Sequence, residues 1–141
     1  MLALSALLFG IRSLPDHKSQ AVEWRDLSSR VGPIVIVRSE NRVFRGRSQL
    51  ARYLKGARAS HPVPPVDFSS RQLLLVSPGP RSSTGYSVEV LSARAQDGAI
   101  TVRVREHSPG VGEKVAPQVT YPYRLLSLPA GKDVYVDWPG R

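Results

Sequence analysis

Side chains able to move a proton, attack a carbon or hold an ion are thinly spread along this chain. Its histidines stand at His17, His61 and His107, far apart and without His-Glu-x-x-His or any paired metal-ligand spacing. His17 falls in a linker-like stretch. His61 and His107 lie beside prolines in turns, a setting in which solvated histidines outnumber ligands. No Gly-x-Ser-x-Gly elbow marks a serine as a nucleophile. Cysteine is absent, which excludes a disulfide framework, a thiolate zinc site and a cysteine nucleophile. Gly110-Val111-Gly112-Glu113-Lys114 lacks the spacing of a phosphate loop. Asp67, Asp97, Asp133 and Asp137 adjoin turns, where short carboxylates bond neighbouring backbone. The sequence therefore predicts no enzyme, no metal and no cofactor.

What the chain offers instead is charge. Twenty basic side chains face eleven acidic ones, a formal net charge of +9 over 141 residues. Most of that excess lies in one stretch, where Arg38, Arg42, Arg45, Arg47, Arg52, Lys55 and Arg58 are opposed by Glu40 alone. Such a stretch suits phosphate, anionic lipid or an acidic protein surface, while a solvated helix face is its ordinary explanation. An RNA-binding module would add exposed aromatics for stacking. The local ones, Phe44 and Tyr53, have neighbours that would bury them.

The elements that must position these groups are short. Hydrophobic residues make up 41% and charged residues 22%, a globular and turn-rich mixture. Ile34-Val35-Ile36-Val37 after Gly32-Pro33, and Leu73-Leu74-Leu75-Val76 before Pro78-Gly79-Pro80, read as buried strands. Tyr86, Val88 and Val90 alternate with polar residues, as do Ile100, Val102 and Val104, which predicts an antiparallel pair with one wet face. Asp97-Gly98 marks the turn between them, inside a connection read as longer than two residues. Thr120 to Leu128 and Val134 to Val136 supply further strands, with Pro122 placing the former at an edge or bend. One short helix is predicted near 48–55, begun by a Ser48 cap, ended by Gly56, with Leu50, Tyr53 and Leu54 on one face at helical spacing. The predicted core includes Val35, Val37, Leu54, Phe68, Leu74, Val76, Tyr86, Val88, Val90, Ile100, Val102, Val104 and Leu126.

Residues 1–11 (MLALSALLFGI) carry no charge, and Arg12 is the first basic residue. The run is too short for a bilayer-spanning helix of about 20 residues but fits the apolar part of a secretion signal. Residues 1–21 are accordingly read as a signal-like or anchoring segment plus linker, and residues 22–141 as the β-rich domain. That reading places the protein outside the cytoplasm, secreted or tethered to a membrane through residues 1–11.

Three connections carry unusual residue choices. Pro78 to Tyr86 (PGPRSSTGY) enters a strand through Gly85, Ser108 to Gln118 (SPGVGEKVAPQ) is long and glycine-proline rich, and Thr120 to Tyr123 (TYPY) holds an aromatic pair around a proline. Loops carried by a rigid sheet are where binding surfaces are commonly built.

Together with Val66-Asp67-Phe68-Ser69 and Leu73 to Val76, the segments Ser83 to Val90, Ser108-Pro109-Gly110 and Val119 to Tyr123 resemble the PrcB-like protease-complex subunit family. The resemblance spans about residues 22–136. Thr84-Gly85-Tyr86 stands where that family often has Gly-Gly-Tyr. The resemblance implies an exported, non-catalytic domain that associates with or supports a surface protease. Thr84, Gly85, Tyr86, Pro109, Gly110, Tyr121, Pro122 and Tyr123 are then the partner-binding candidates, with the tyrosines as anchors. A weaker likeness links Thr84-Gly85-Tyr86, Gly110-Val111-Gly112 and Tyr121-Pro122-Tyr123 to chagasin-like cysteine-protease inhibitors, without that family's fuller glycine cluster or its arginine-proline-tryptophan loop. A third class, a nucleic-acid or anionic-surface binder, would use the basic stretch. The fold expected is mainly β or β-rich α+β, an antiparallel β-sandwich or open barrel with the one short helix.

Overall fold

The computed structural model describes residues 18–140, so the signal-like segment read over residues 1–11 lies outside the described residues. Along the chain come β1 (Gln20–Ala21), β2 (Arg25–Asp26), α1 (Ser28–Val31), β3 (Glu40–Phe44), α2 (Arg47–Gly56), β4 (Arg71–Ser77), β5 (Ser87–Gln96), β6 (Ala99–His107), β7 (Arg124–Pro129) and β8 (Asp133–Asp137). They form two four-stranded sheets, one ordered β1-β5-β6-β8 and the other β2-β7-β4-β3. Every pairing is antiparallel except β6 with β8. The architecture is a mainly β, α+β sandwich rather than a barrel.

Side-chain alternation explains the layering. In β4, Leu74 and Val76 face the other sheet and pack with Val88, Ile100, Val102, Val104, Leu126 and Leu128. Leu73 and Leu75, on the opposite face, join Leu50 and Leu54 of α2, Val31 of α1 and Phe44. A strand covered on both faces needs an unbroken apolar run, and that is why β4 does not alternate. β6 is covered on one face only, so Ile100, Val102 and Val104 are buried while Thr101, Arg103 and Arg105 are exposed. The β5–β6 register shifts between Val90 and Ser92, leaving Leu91 as an extra, exposed residue. That bulge reverses the parity of the strand. Val88 before it and Ala93 after it can then face the same core, which an uninterrupted strand could not arrange.

Several expectations need correction. Residues 34–37 belong to no strand or sheet, and their buried side chains are Ile34 and Ile36. Of the two valines expected in the core, Val35 is half-buried and Val37 is 72% exposed. Four consecutive β-branched residues give no parity signal, so either set could have faced inward. Gln96 pairs with Ala99, making the hairpin a two-residue turn in which both Asp97 (φ 53°) and Gly98 (φ 79°) adopt positive φ. This is the arrangement Asp-Gly favours, and the strands simply run further than alternation alone predicts. Helix α2 is where it was expected, but Gly46 rather than Ser48 is its N-cap. The Gln49 carboxamide reaches back to accept the Arg45 N–H at 3.0 Å. Gly56 is helical, and the positive φ falls on Arg58. Strand β7 begins at Arg124, after Pro122 and not around it, and lies inside its sheet between β2 and β4. Phe68, Tyr86 and Val90 are half-buried rather than fully buried core.

Candidate functional site

The three singled-out loops meet. Arg81 and Thr120 exchange backbone hydrogen bonds at 2.9 Å each way, bridging the first loop to the third. The Thr120 hydroxyl donates to Ser83 O at 2.8 Å. Thr84 ties in the second loop: its N–H donates to Ala116 O at 3.1 Å and its hydroxyl accepts the Ala116 N–H at 2.8 Å. Gly85 lies at φ 97°, and a Cβ there would stand 3.0 Å from both Pro109 Cβ and Val115 Cγ1. Only glycine permits that dihedral and that approach together. Within the second loop the Gly110 N–H is taken by the Glu113 carboxylate at 2.8 Å.

Arg81 organises the first loop. Its guanidinium grips Glu106 of β6 with two bonds of 2.7 and 2.8 Å and donates to Pro80 O at 2.9 Å. Its plane lies 5.8 Å from the Tyr86 ring centroid. The Glu106 hydrogen bonds hold the guanidinium pKa above its usual value. This ion pair of separated residues leaves no trace in the sequence.

The tyrosines divide. Tyr86, Tyr121, Pro122 and Tyr123 line one open groove of about 220 Å³ with Val88 and Arg124. Pro122 itself is buried, and its carbonyl accepts from the Ser77 hydroxyl at 2.7 Å. Tyr121 and Tyr123 pack against the helix-side core. The Tyr123 hydroxyl sits between Ser28 O and Gly32 O, donating inward to the turn at α1. Burial, then the nearby Asp26 carboxylate, pushes its pKa up to about 12. Gly85 lies against Pro109 and Thr84 is bonded to Ala116, whereas Tyr123 faces the scaffold with its polar end.

Sequence reasoning passed over the apolar tip of the second loop. Residues 110–119 are all exposed, among them Val111, Val115 (40%) and Val119 (58%). Valines at turn-like positions between Gly, Pro, Lys and Glu were the available signal.

The basic stretch is only partly gathered. Arg38, Arg42, Arg52 and Arg58 line an open groove of about 750 Å³ between residues 35–38, β3 and α2, whereas Arg45, Arg47 and Lys55 lie outside it. Arg42 bonds Glu40 at 2.6 Å and lies 5.1 Å from the Tyr53 ring centroid. The Tyr53 hydroxyl donates to the other Glu40 oxygen at 2.8 Å. Burial, reinforced by that carboxylate, raises the Tyr53 pKa. Phe44 is buried, and half-buried Tyr53 meets it edge-on at 5.2 Å with Arg42 over its ring, a poor platform for the base stacking that single-stranded nucleic acid uses.

His61 places Nδ1 3.2 Å from Val31 O, and the described residues contain no cluster of three or more His, Asp or Glu able to hold a metal ion. Asp67 accepts from the Ser69 N–H at 3.1 Å, and these Ser69 bonds lower its pKa. Asp26 holds the Ser28 N–H at 2.9 Å in the same way.

No curated protein and no solved structure significantly matches the chain. The family model described as PrcB C-terminal matches residues 73–129. It takes in most of β4, β5 through β7 and all three convergent loops, and leaves out α2 and the arginine groove. The resemblance read from the sequence therefore holds where the loops are built, and residues 73–129 carry the PrcB C-terminal pattern.

Proposed function

We propose that this chain is an exported, non-catalytic protein-binding domain that associates with or stabilises a protease complex. Its docking face is the tip of residues 108–119 together with Thr84, Gly85, Pro109, Gly110 and the groove beside Tyr86 and Tyr121. The observation that carries this reading is the tip itself. Val111, Val115 and Val119 stand in water on a loop pinned to Thr84 and next to Thr120, and a held apolar tip is what a partner protein can bury. Family resemblance supplies the protease complex as the partner class. Tyr123 belongs to the support beneath the face.

Affinity capture from the native envelope tests the reading. The wild-type chain is expected to retain a protease, and a folded Tyr86→Ala, Val111→Ser, Val119→Ser variant is expected to lose it by at least about tenfold, as loss of one good anchor does. Equal recovery by the folded variant overturns the docking face. The close approach of Gly85 to Pro109 and Val115 also favours a second reading, inhibition of a papain-type protease by the same loops. Stoichiometric loss of papain activity on titration would establish that one, and undiminished activity would remove it.

A further inference from the structure

Lys114, near the tip of the second loop, is set apart from every other cation of the molecule. Among the described residues it alone of the lysines and arginines has four exposed residues on each side, 110–113 and 115–118. Its ammonium has no partner among the described residues, and neither Lys114 nor Val115 engages a backbone group in a hydrogen bond there. The neighbouring carboxylate, Glu113, is turned to the Gly110 N–H at 2.8 Å. The chain beside this open pair is held. Glu113 donates its own N–H to Gly110 O at 3.1 Å, and Ala116 is bonded to Thr84 through both its N–H and its carbonyl, at 2.8 and 3.1 Å. Pro109 and Val115 both close on Gly85, so the two arms of the loop share one neck. The Lys114–Val115 peptide bond is therefore open to a partner while both of its flanks are fixed to the sandwich.

We infer that Lys114 enters the acidic primary pocket of a serine protease that cuts after basic residues, and that the loop inhibits this protease by keeping both ends of the Lys114–Val115 bond in place. That target rests on reading the loop as a docking face. An ammonium taken out of water needs a carboxylate partner, which sets the sign of the pocket. Attack by the protease's serine oxygen joins it to the Lys114 carbonyl carbon, breaks the bond to the Val115 nitrogen and passes the serine proton to that nitrogen. From an ordinary substrate the freed amine departs, and water hydrolyses the ester. Here Ala116 stays bonded to Thr84 and Val115 stays against Gly85, so the amine remains beside the ester. It re-forms the peptide bond and returns the proton to the serine, because a reactant held in place acts at a very high effective concentration.

The experiment titrates trypsin with the purified full chain, reads residual activity on a small chromogenic substrate, and follows the mass of the chain over hours. Expected is a stoichiometric, reversible loss of activity with most of the chain left intact. Lys114→Gln should weaken inhibition at least about thirtyfold, the effect of removing one partner of a buried charge pair. Lys114→Arg should retain it. Thr84→Val, which lacks the hydroxyl that accepts the Ala116 N–H, should speed cleavage at Lys114–Val115 about fivefold, the worth of one hydrogen bond. The inference is overturned if trypsin keeps full activity, if it cuts the unaltered chain at Lys114–Val115 without being inhibited, or if Lys114→Gln inhibits equally. Capture through Tyr86, Val111 and Val119 tests the docking face separately, so undiminished trypsin activity removes the inhibition and leaves that face standing.

Discussion

The hydroxyl of Tyr123 lies between two carbonyls at the ends of α1, 95 and 91 residues back along the chain. It ties the start of β7 to the turn at Gly32, and its ring fills the space over the helix-side core. Tyr123→Phe keeps the ring but leaves a carbonyl short of a donor, so a loss of about 1–2 kcal/mol in urea unfolding is expected. The same phenol shapes the alkaline limit. An unfolded tyrosine ionises near pH 10, whereas the folded Tyr123 keeps its proton up to about 12. Between those values only the unfolded chain releases a proton, so stability is full below pH 10 and falls as pH rises toward 12. Tyr123→Phe should flatten that fall without abolishing it, because Tyr53 is shifted in the same direction. An unchanged slope in the variant would count against this account.

At the scale of elements, the contrast between β4 and β6 has direct energetic content. Leu74 is 1% exposed and packs between the sheets. Leu74→Ala is expected to cost about 2–5 kcal/mol. Arg103, on the wet face of β6, makes an exposed pair with Asp137 at 3.0 Å. Arg103→Ala should stay within about 0.5 kcal/mol, and chemical denaturation of both variants checks the ordering. This difference was legible in the sequence because a continuous apolar run and a strict alternation are different patterns. The Ile34–Val37 run was legible as an apolar, partly buried segment, but it joins no sheet, and four branched residues in a row gave no sign of which of them turn inward. The convergence of the three loops was legible only through family resemblance: the bonds that make it, Thr84 to Ala116 and Arg81 to Thr120, join residues 32 and 39 positions apart. The Arg81–Glu106 clamp and the division of the arginines between groove and open surface depend wholly on how the elements pack, so no local pattern announces them.

Viewed whole, the molecule carries two surfaces of opposite character. The valine tip and Tyr86 groove would bind by removing apolar area from water, whereas the arginine groove offers charge. Ionic strength should separate them. Raising salt from about 0.05 M to about 0.5 M shortens the screening length from roughly 14 to 4 Å. Capture through the valine tip is expected to persist across that range, while binding of a polyanion at the arginine groove should weaken several-fold. Parallel affinity measurements at the two salt concentrations decide it, and equal sensitivity of both would mean that the surfaces do not act separately.

The parallel seam between β6 and β8 bears on how the chain is made. Residues 133–137 lie beside residues 99–103, and Val134 and Val136 lean onto the inter-sheet core. A ribosome therefore releases the β5–β6 hairpin well before the strand that shields its flank. Until that strand emerges, β6 offers nascent neighbours a bare row of backbone donors and acceptors, the very template that invites intermolecular pairing.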